Sequence, residues 1–169
     1  MKKFTTKDLI FMAMYAALFV LFDRLTDLVP LFSMPSGGKL NFATVVLLLA
    51  SYHLGWQKGL LTGVVVCILM FITGSISYYG IVSLLFDYLL AYIGYGLACI
   101  FPNYGLFFSG VLITNLFRLA CSTFAGIVVW ETPFWGSLSY NATYMLPTII
   151  LDLIMVPLIY KAMKPIIKD

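Results

Sequence analysis

The length of the apolar runs restricts this chain more than any other feature. Between Leu9 and Tyr160 the sequence moves from one hydrophobic stretch to the next, with only short Gly, Pro, Ser and Asn breaks between them. A helix needs about 20 mainly apolar residues to cross a bilayer, and tolerates about 17 to 25. Helices are expected at about 6–28, 40–54, 58–73, 81–101, 105–130 and 138–161. The first and the last three meet the length requirement. The second and third are short, and a polar turn from His53 to Lys58 joins them. They fit two tilted or partly buried spans, or one re-entrant pair.

Composition supports a lipid environment. The chain is 62% hydrophobic and 10% charged, whereas soluble domains are about half apolar and about a quarter charged. So little charge cannot cover a water-facing surface, and in lipid the outer face must itself be apolar. The expected fold class is an all-α membrane protein, a six-helix bundle forming one integral membrane domain over residues 1–169. The Lys2, Lys3 and Lys7 side chains open the chain, and Lys161, Lys164 and Lys168 close it. Six passes put both basic ends on one side, which the positive-inside rule makes cytoplasmic. Lys58 then falls in an inner loop, and Lys39 on the outside. Lysines in this placement are topology signals, unlike the basic patch of a nucleic-acid binder. The three cysteines, Cys67, Cys99 and Cys121, lie in apolar stretches without metal-ligand spacing and read as packing residues. The first run has a basic start but no good cleavage site, so it reads as a helix, not a removable signal.

Polar groups inside the runs need a reason, because a charge within a membrane is costly unless paired or wetted. Asp87, Arg118 and Asp152 fall well inside expected helices. Asp87, followed by Tyr88, suits a cationic or hydrogen-bond-donating ligand, or else an ion pair with Arg118 that orients helices. Arg118 shares a helix face with Asn115 and Ser122. It is read as a structural intramembrane residue that either lines a cavity or locks to Asp87 or Asp152. On the last helix Asn141, Thr148 and Asp152 recur on one face, with Asn141 near the outer end and Asp152 deeper, in a packing role. Trp130, Phe134, Trp135, Tyr140 and Tyr144 gather at the last outer loop, as an interfacial belt or as a box for a flat or cationic ring. Lys39 places a positive charge near the same end. Ala13 and Ala17, and Gly59 and Gly63, are small residues four apart, a spacing that lets helices approach closely. No HExxH, Walker A or CxxC motif is present, and the single histidine, His53, sits in an inner turn away from the outer polar cluster. An intramembrane protease using Asp87 and Asp152, or a purely structural membrane subunit, are the competing classes.

Ordered along the chain, four features resemble the substrate-binding S components of energy-coupling factor (ECF) vitamin transporters, most closely the thiamine-specific ThiT type. They are Ala13-x-x-x-Ala17; Met34-Pro35-Ser36-Gly37-Gly38 with Lys58-Gly59-Leu60-Leu61-Thr62-Gly63; Asp87-Tyr88 with Leu89-Leu90-Ala91-Tyr92; and Arg118 through Gly126 and Trp130 followed by Ser137 to Pro147. The resemblance covers nearly the whole chain. It implies an outward-facing vitamin pocket in a non-enzymatic transport subunit of a prokaryotic cell membrane, without a cofactor or metal. It also implies a coupling transmembrane subunit and two ATP-binding subunits as partners. Asp87-Tyr88 stands where the family has a Glu-Tyr pair, Trp130 where it has a stacking tryptophan, and Asn141 where it has a helix-six asparagine. Ser122 stands where a pocket histidine is expected, Gly136 where a tyrosine is, and Phe32 is near the place of a first-loop tryptophan. The resemblance therefore implies Asp87, Tyr88, Trp130, Asn141, Ser122 and Phe32 as substrate contacts, and Ala13 and Ala17 as the docking face for the coupling subunit. The substrate it implies is thiamine or a related compound, with another heteroaromatic vitamin as the alternative.

Overall fold

A computed structural model describes residues 4–28, 34 and 38–167. Phe32, Pro30, Lys2, Lys3, Lys168 and most of the Met34–Gly38 motif lie outside the described residues. The chain is mostly helical. Four helices are long and apolar enough to cross a membrane, so the protein is a multi-pass membrane protein.

Helix α1 is Thr6–Asp27. Its start follows from a capping box. The Thr5 hydroxyl accepts from the Asp8 amide at 3.2 Å, and the Asp8 carboxylate accepts from the Thr5 amide at 2.9 Å. Two of the free N–H groups at the helix start are thereby satisfied. Asp8 also pairs with Lys58 at 2.6 Å, which ties this end of α1 to the next hairpin.

Helix α2 is Thr44–Leu54, and α3 is Trp56–Ile72. Only Gly55 separates them, with φ 86° and ψ 164°. That backbone conformation is essentially restricted to glycine, so one residue can reverse the chain. The shortness of α2 has a physical reason. At about 1.5 Å per residue its 11 residues reach only about 16 Å. Every residue from Thr44 to Tyr52 is buried, packed among α1, α3 and the later helices. A helix that is apolar all round is a core helix, and α2 forms the centre of the hydrophobic core.

Helix α4, Ile81–Ile100, is continuous but not uniform. Leu84–Leu90 is wound as a π-helix, and Tyr95–Ile100 tightens into 3-10 geometry. Wide π segments interrupt α-helices mostly at functional sites, and this one carries Asp87 and Tyr88. The small residues expected to matter on α3 do so here. A Cβ on Gly96 would collide with the backbone of Leu60, and one on Gly59 would sit 3.0 Å from the Gly96 Cα.

The fifth helix begins later than its apolar run. Asn103–Tyr104 and Phe107–Phe108 pair as a two-stranded antiparallel hairpin, turning at Gly105 with φ 65°. Helix α5 then runs Ser109–Trp130. Leu106, Phe107 and Phe108 continue the hydrophobic pattern, so composition alone extends the helix too far. Glu131 adopts left-handed φ 51° and ends α5. The sixth helix, α6, is longer than expected at Phe134–Ile167, and holds Pro147, Pro157 and Pro165 within it.

Candidate functional site

One end of the bundle gathers the carboxyl ends of α1, α3 and α5 and the amino ends of α2, α4 and α6. A cavity of about 550 Å³ opens there. Ligand sites usually measure about 300–1,000 Å³.

The wall from α4 supplies Asp87 and Tyr88. The Asp87 carboxylate accepts from the Ser83 hydroxyl at 3.2 Å, and Ser122 on α5 lines the same cavity. Among the described residues Asp87 makes no ion pair. The Tyr88 hydroxyl accepts from the Ser77 amide at 3.1 Å, which fixes its ring against the loop before α4. From α5 come Arg118, Ser122, Gly126 and Trp130. The Trp130 ring is 45% exposed and meets Tyr79 edge-on at 5.2 Å between centroids. It is thus an open aromatic face at the rim.

The α6 wall holds Gly136, Ser137, Tyr140, Asn141 and Tyr144. Asn141 is largely committed already. Its amide nitrogen donates to the Ser137 carbonyl at 2.9 Å, and its oxygen accepts from the Tyr144 hydroxyl at 2.5 Å. Next to Gly136 there is open space, with only Pro133 within contact range of an added Cβ.

Five of the six expected substrate contacts, Asp87, Tyr88, Trp130, Asn141 and Ser122, therefore line one cavity; Phe32 lies outside the described residues. Asp152 and Arg118 behave differently from each other. Asp152 is fully buried behind the cavity, where its two oxygens accept from Asn115 and Thr44, each at 2.9 Å. Arg118 locks to neither Asp87 nor Asp152. Its terminal nitrogens donate to the hydroxyls of Tyr95 and Tyr92, both at 3.3 Å, and its guanidinium carbon lies 4.8 Å from the Tyr92 ring centre. A cation over an aromatic face is attracted by the ring quadrupole, so tyrosines take the place the carboxylates were expected to fill. Arg118 also lines the cavity.

The sequence places Asp23, Arg24 and Asp27 near the outer end of the first helix and Lys39 outside, but it does not show that they form one cluster at the mouth. Lys39 bridges Asp23 at 2.8 Å and Asp27 at 2.7 Å. Arg24 lies 3.6 Å from Asp27 and donates to the Thr73 carbonyl. Two cations and two anions thus offset one another. Lys39 is not a lone charge facing the ligand, as its sequence position implied. Asn41 joins this cluster to the floor, donating to Asp23 at 3.4 Å and to the Tyr92 hydroxyl at 3.3 Å. The signal for Asn41 was weak, a single amide after Lys39-Leu40. For Asp23 and Asp27 it was their i, i+4 spacing, which puts both on one face of α1.

The profile of the family described as Thiamine transporter protein (Thia_YuaJ) matches residues 9–168. The chain belongs to this thiamine transporter family. Thiamine transporter ThiT of Bacillus subtilis (strain 168) is 29% identical over 158 residues, covering 81% of this chain and 82% of that protein. The solved structure of ThiT from Listeria monocytogenes superimposes with a TM-score of 0.75 at 16% identity, covering 96% of this chain and 99% of that one. At that identity the likeness is one of fold. The ThiT-type resemblance read from the ordered motifs is borne out.

Proposed function

We propose that this chain is the thiamine-binding S component of an ECF-type uptake transporter in a prokaryotic cell membrane. The observation that carries the proposal is the cavity itself. In a member of the thiamine transporter family, it is lined by a carboxylate, Asp87, that makes no ion pair among the described residues, and by an exposed indole, Trp130. The Asp87 carboxylate accepts from the amino group of the ligand's pyrimidine. Tyr88 and Trp130 bracket the rings, and Ser122 and Asn141 add hydrogen bonds. The cationic thiazolium meets no net opposing charge at the mouth, because Lys39 is held between Asp23 and Asp27.

Transport needs more than this chain. No nucleotide motif occurs in it, so two ATP-binding subunits and a coupling transmembrane subunit drive the cycle, and the chain itself is not an enzyme. Ala13 and Ala17 stand on the exposed face of α1 with Leu9, Ile10, Met14 and Leu21. Small residues on such a face let a partner helix come close. In this reading all six helices form one integral membrane domain, α2 and α3 count as passes, and both termini are cytoplasmic.

A second reading keeps the site and changes the ligand. The open space at Gly136 and the small Ser122 leave room for a bulkier relative of thiamine or another heteroaromatic vitamin. Calorimetric titration of the detergent-purified protein separates the two. Saturable heat with thiamine supports the first reading. Heat with a bulkier vitamin and none with thiamine supports the second.

A further inference from the structure

Arg118 has more donors than partners. A guanidinium carries five N–H groups, and among the described residues it makes two hydrogen bonds, to the Tyr92 and Tyr95 hydroxyls. Its Nε has no partner among the described residues. Neither tyrosine brings a negative charge. The side chain is 8% exposed, and it lines the cavity. A buried charged donor left without an acceptor is costly, and an acceptor on whatever fills the cavity relieves that cost.

The neighbouring groups narrow what that acceptor is. Ser122 follows Arg118 by one turn on the same face of α5, and Asp87 lines the same cavity from α4. A donor-only group, Arg118, and an acceptor-only group, Asp87, therefore line one cavity without pairing with each other. The matching ligand edge presents an acceptor beside a donor. In a 4-aminopyrimidine the ring nitrogen accepts and the adjacent amino group donates. We infer that Arg118 is a specificity-determining residue of this cavity, donating to the pyrimidine nitrogen next to the amino group that Asp87 accepts from. The inference rests on the thiamine reading above. It also orients the ligand, because Arg118 repels a cation and so keeps the thiazolium toward Trp130 and the mouth.

The test uses thiamine and its two pyridyl analogues, in which one or the other pyrimidine nitrogen is CH, titrated calorimetrically into the detergent-purified full chain. The analogue lacking the nitrogen beside the amino group is expected to bind about tenfold or more weakly than thiamine, the loss of one charge-assisted hydrogen bond. In Arg118→Met that ratio falls below about threefold, because thiamine weakens to the level of the analogue. Arg118→Gln keeps a polar group against the two tyrosines and is expected to lose the same discrimination where methionine does not fold. Equal binding of thiamine and the analogue by the unsubstituted protein overturns the inference and leaves the thiamine reading standing. So does a folded variant that keeps the full ratio. Absence of thiamine binding to the unsubstituted protein removes the thiamine reading, and the inference with it.

Discussion

Removing the Lys39 ammonium should cost this protein most of its margin at the cavity mouth. Asp23 is fully buried, and Lys39 reaches it at 2.8 Å with only 17% of its own side chain exposed. At an effective dielectric of about 20, a pair at that distance attracts by roughly 6 kcal/mol before desolvation is subtracted. Truncating one partner of such a pair leaves the other charge buried, at a loss of about 3–5 kcal/mol. Asp23 would keep only the 3.4 Å bond from Asn41, and its second oxygen already has no partner. Because Lys39 is partly wetted, the low end applies to Lys39→Met, about 3 kcal/mol. For a chain of this size that lowers the melting temperature by about 6–12 °C. The assay is thermal unfolding in detergent of the single variants and the double variant Lys39→Met/Asp23→Asn. The double variant should recover most of the loss, since a neutral amide no longer needs the cation. The reasoning is refuted if Lys39→Met melts within about 2 °C of the unsubstituted protein, or if the two single effects simply add.

Three further outcomes follow from the same geometry. Asp87→Asn should weaken thiamine binding by about tenfold to a hundredfold, with little change in melting temperature because Asp87 makes no ion pair among the described residues; calorimetry and unfolding together check it. Ala13→Trp/Ala17→Trp should abolish thiamine uptake by cells while leaving binding to the purified protein intact, and loss of both would sink the docking assignment. Gly96→Val should lower the melting temperature by several degrees, as overpacking costs about 1–3 kcal/mol, since any Cβ there meets the Leu60 backbone.

Much of this architecture was legible in the sequence because a membrane imposes simple rules on a chain. Run length located the helices. The polar stripe Asn115, Arg118 and Ser122 does face inward, and Asn141, Thr148 and Asp152 are all buried on α6. What could not be read depends on geometry between segments. Leu106, Phe107 and Phe108 at the end of the hairpin are as apolar as the helix that follows, so hydropathy cannot separate them. The partner of Arg118 was open because Asp87, Asp152 and several tyrosines were all within plausible reach, and only the rotation and depth of α4 relative to α5 bring Tyr92 and Tyr95 to it. The stretch Leu84–Leu90 on α4 is π-wound, and periodicity over seven residues does not distinguish it from an α-helix. Lys39 looked like an isolated outer charge because its carboxylates lie on α1, 12 residues or more away in sequence.

The measurement that bears most directly on the central claim is a tryptophan fluorescence titration of the purified protein with thiamine, run beside Trp130→Phe. Trp56 and Trp135 remain in both proteins, so the difference isolates the ring at the cavity rim. The account predicts a saturable quench with one thiamine per chain that is largely lost in Trp130→Phe. No quench in the unsubstituted protein, or an identical quench in the two, would contradict thiamine binding against Trp130 in this cavity.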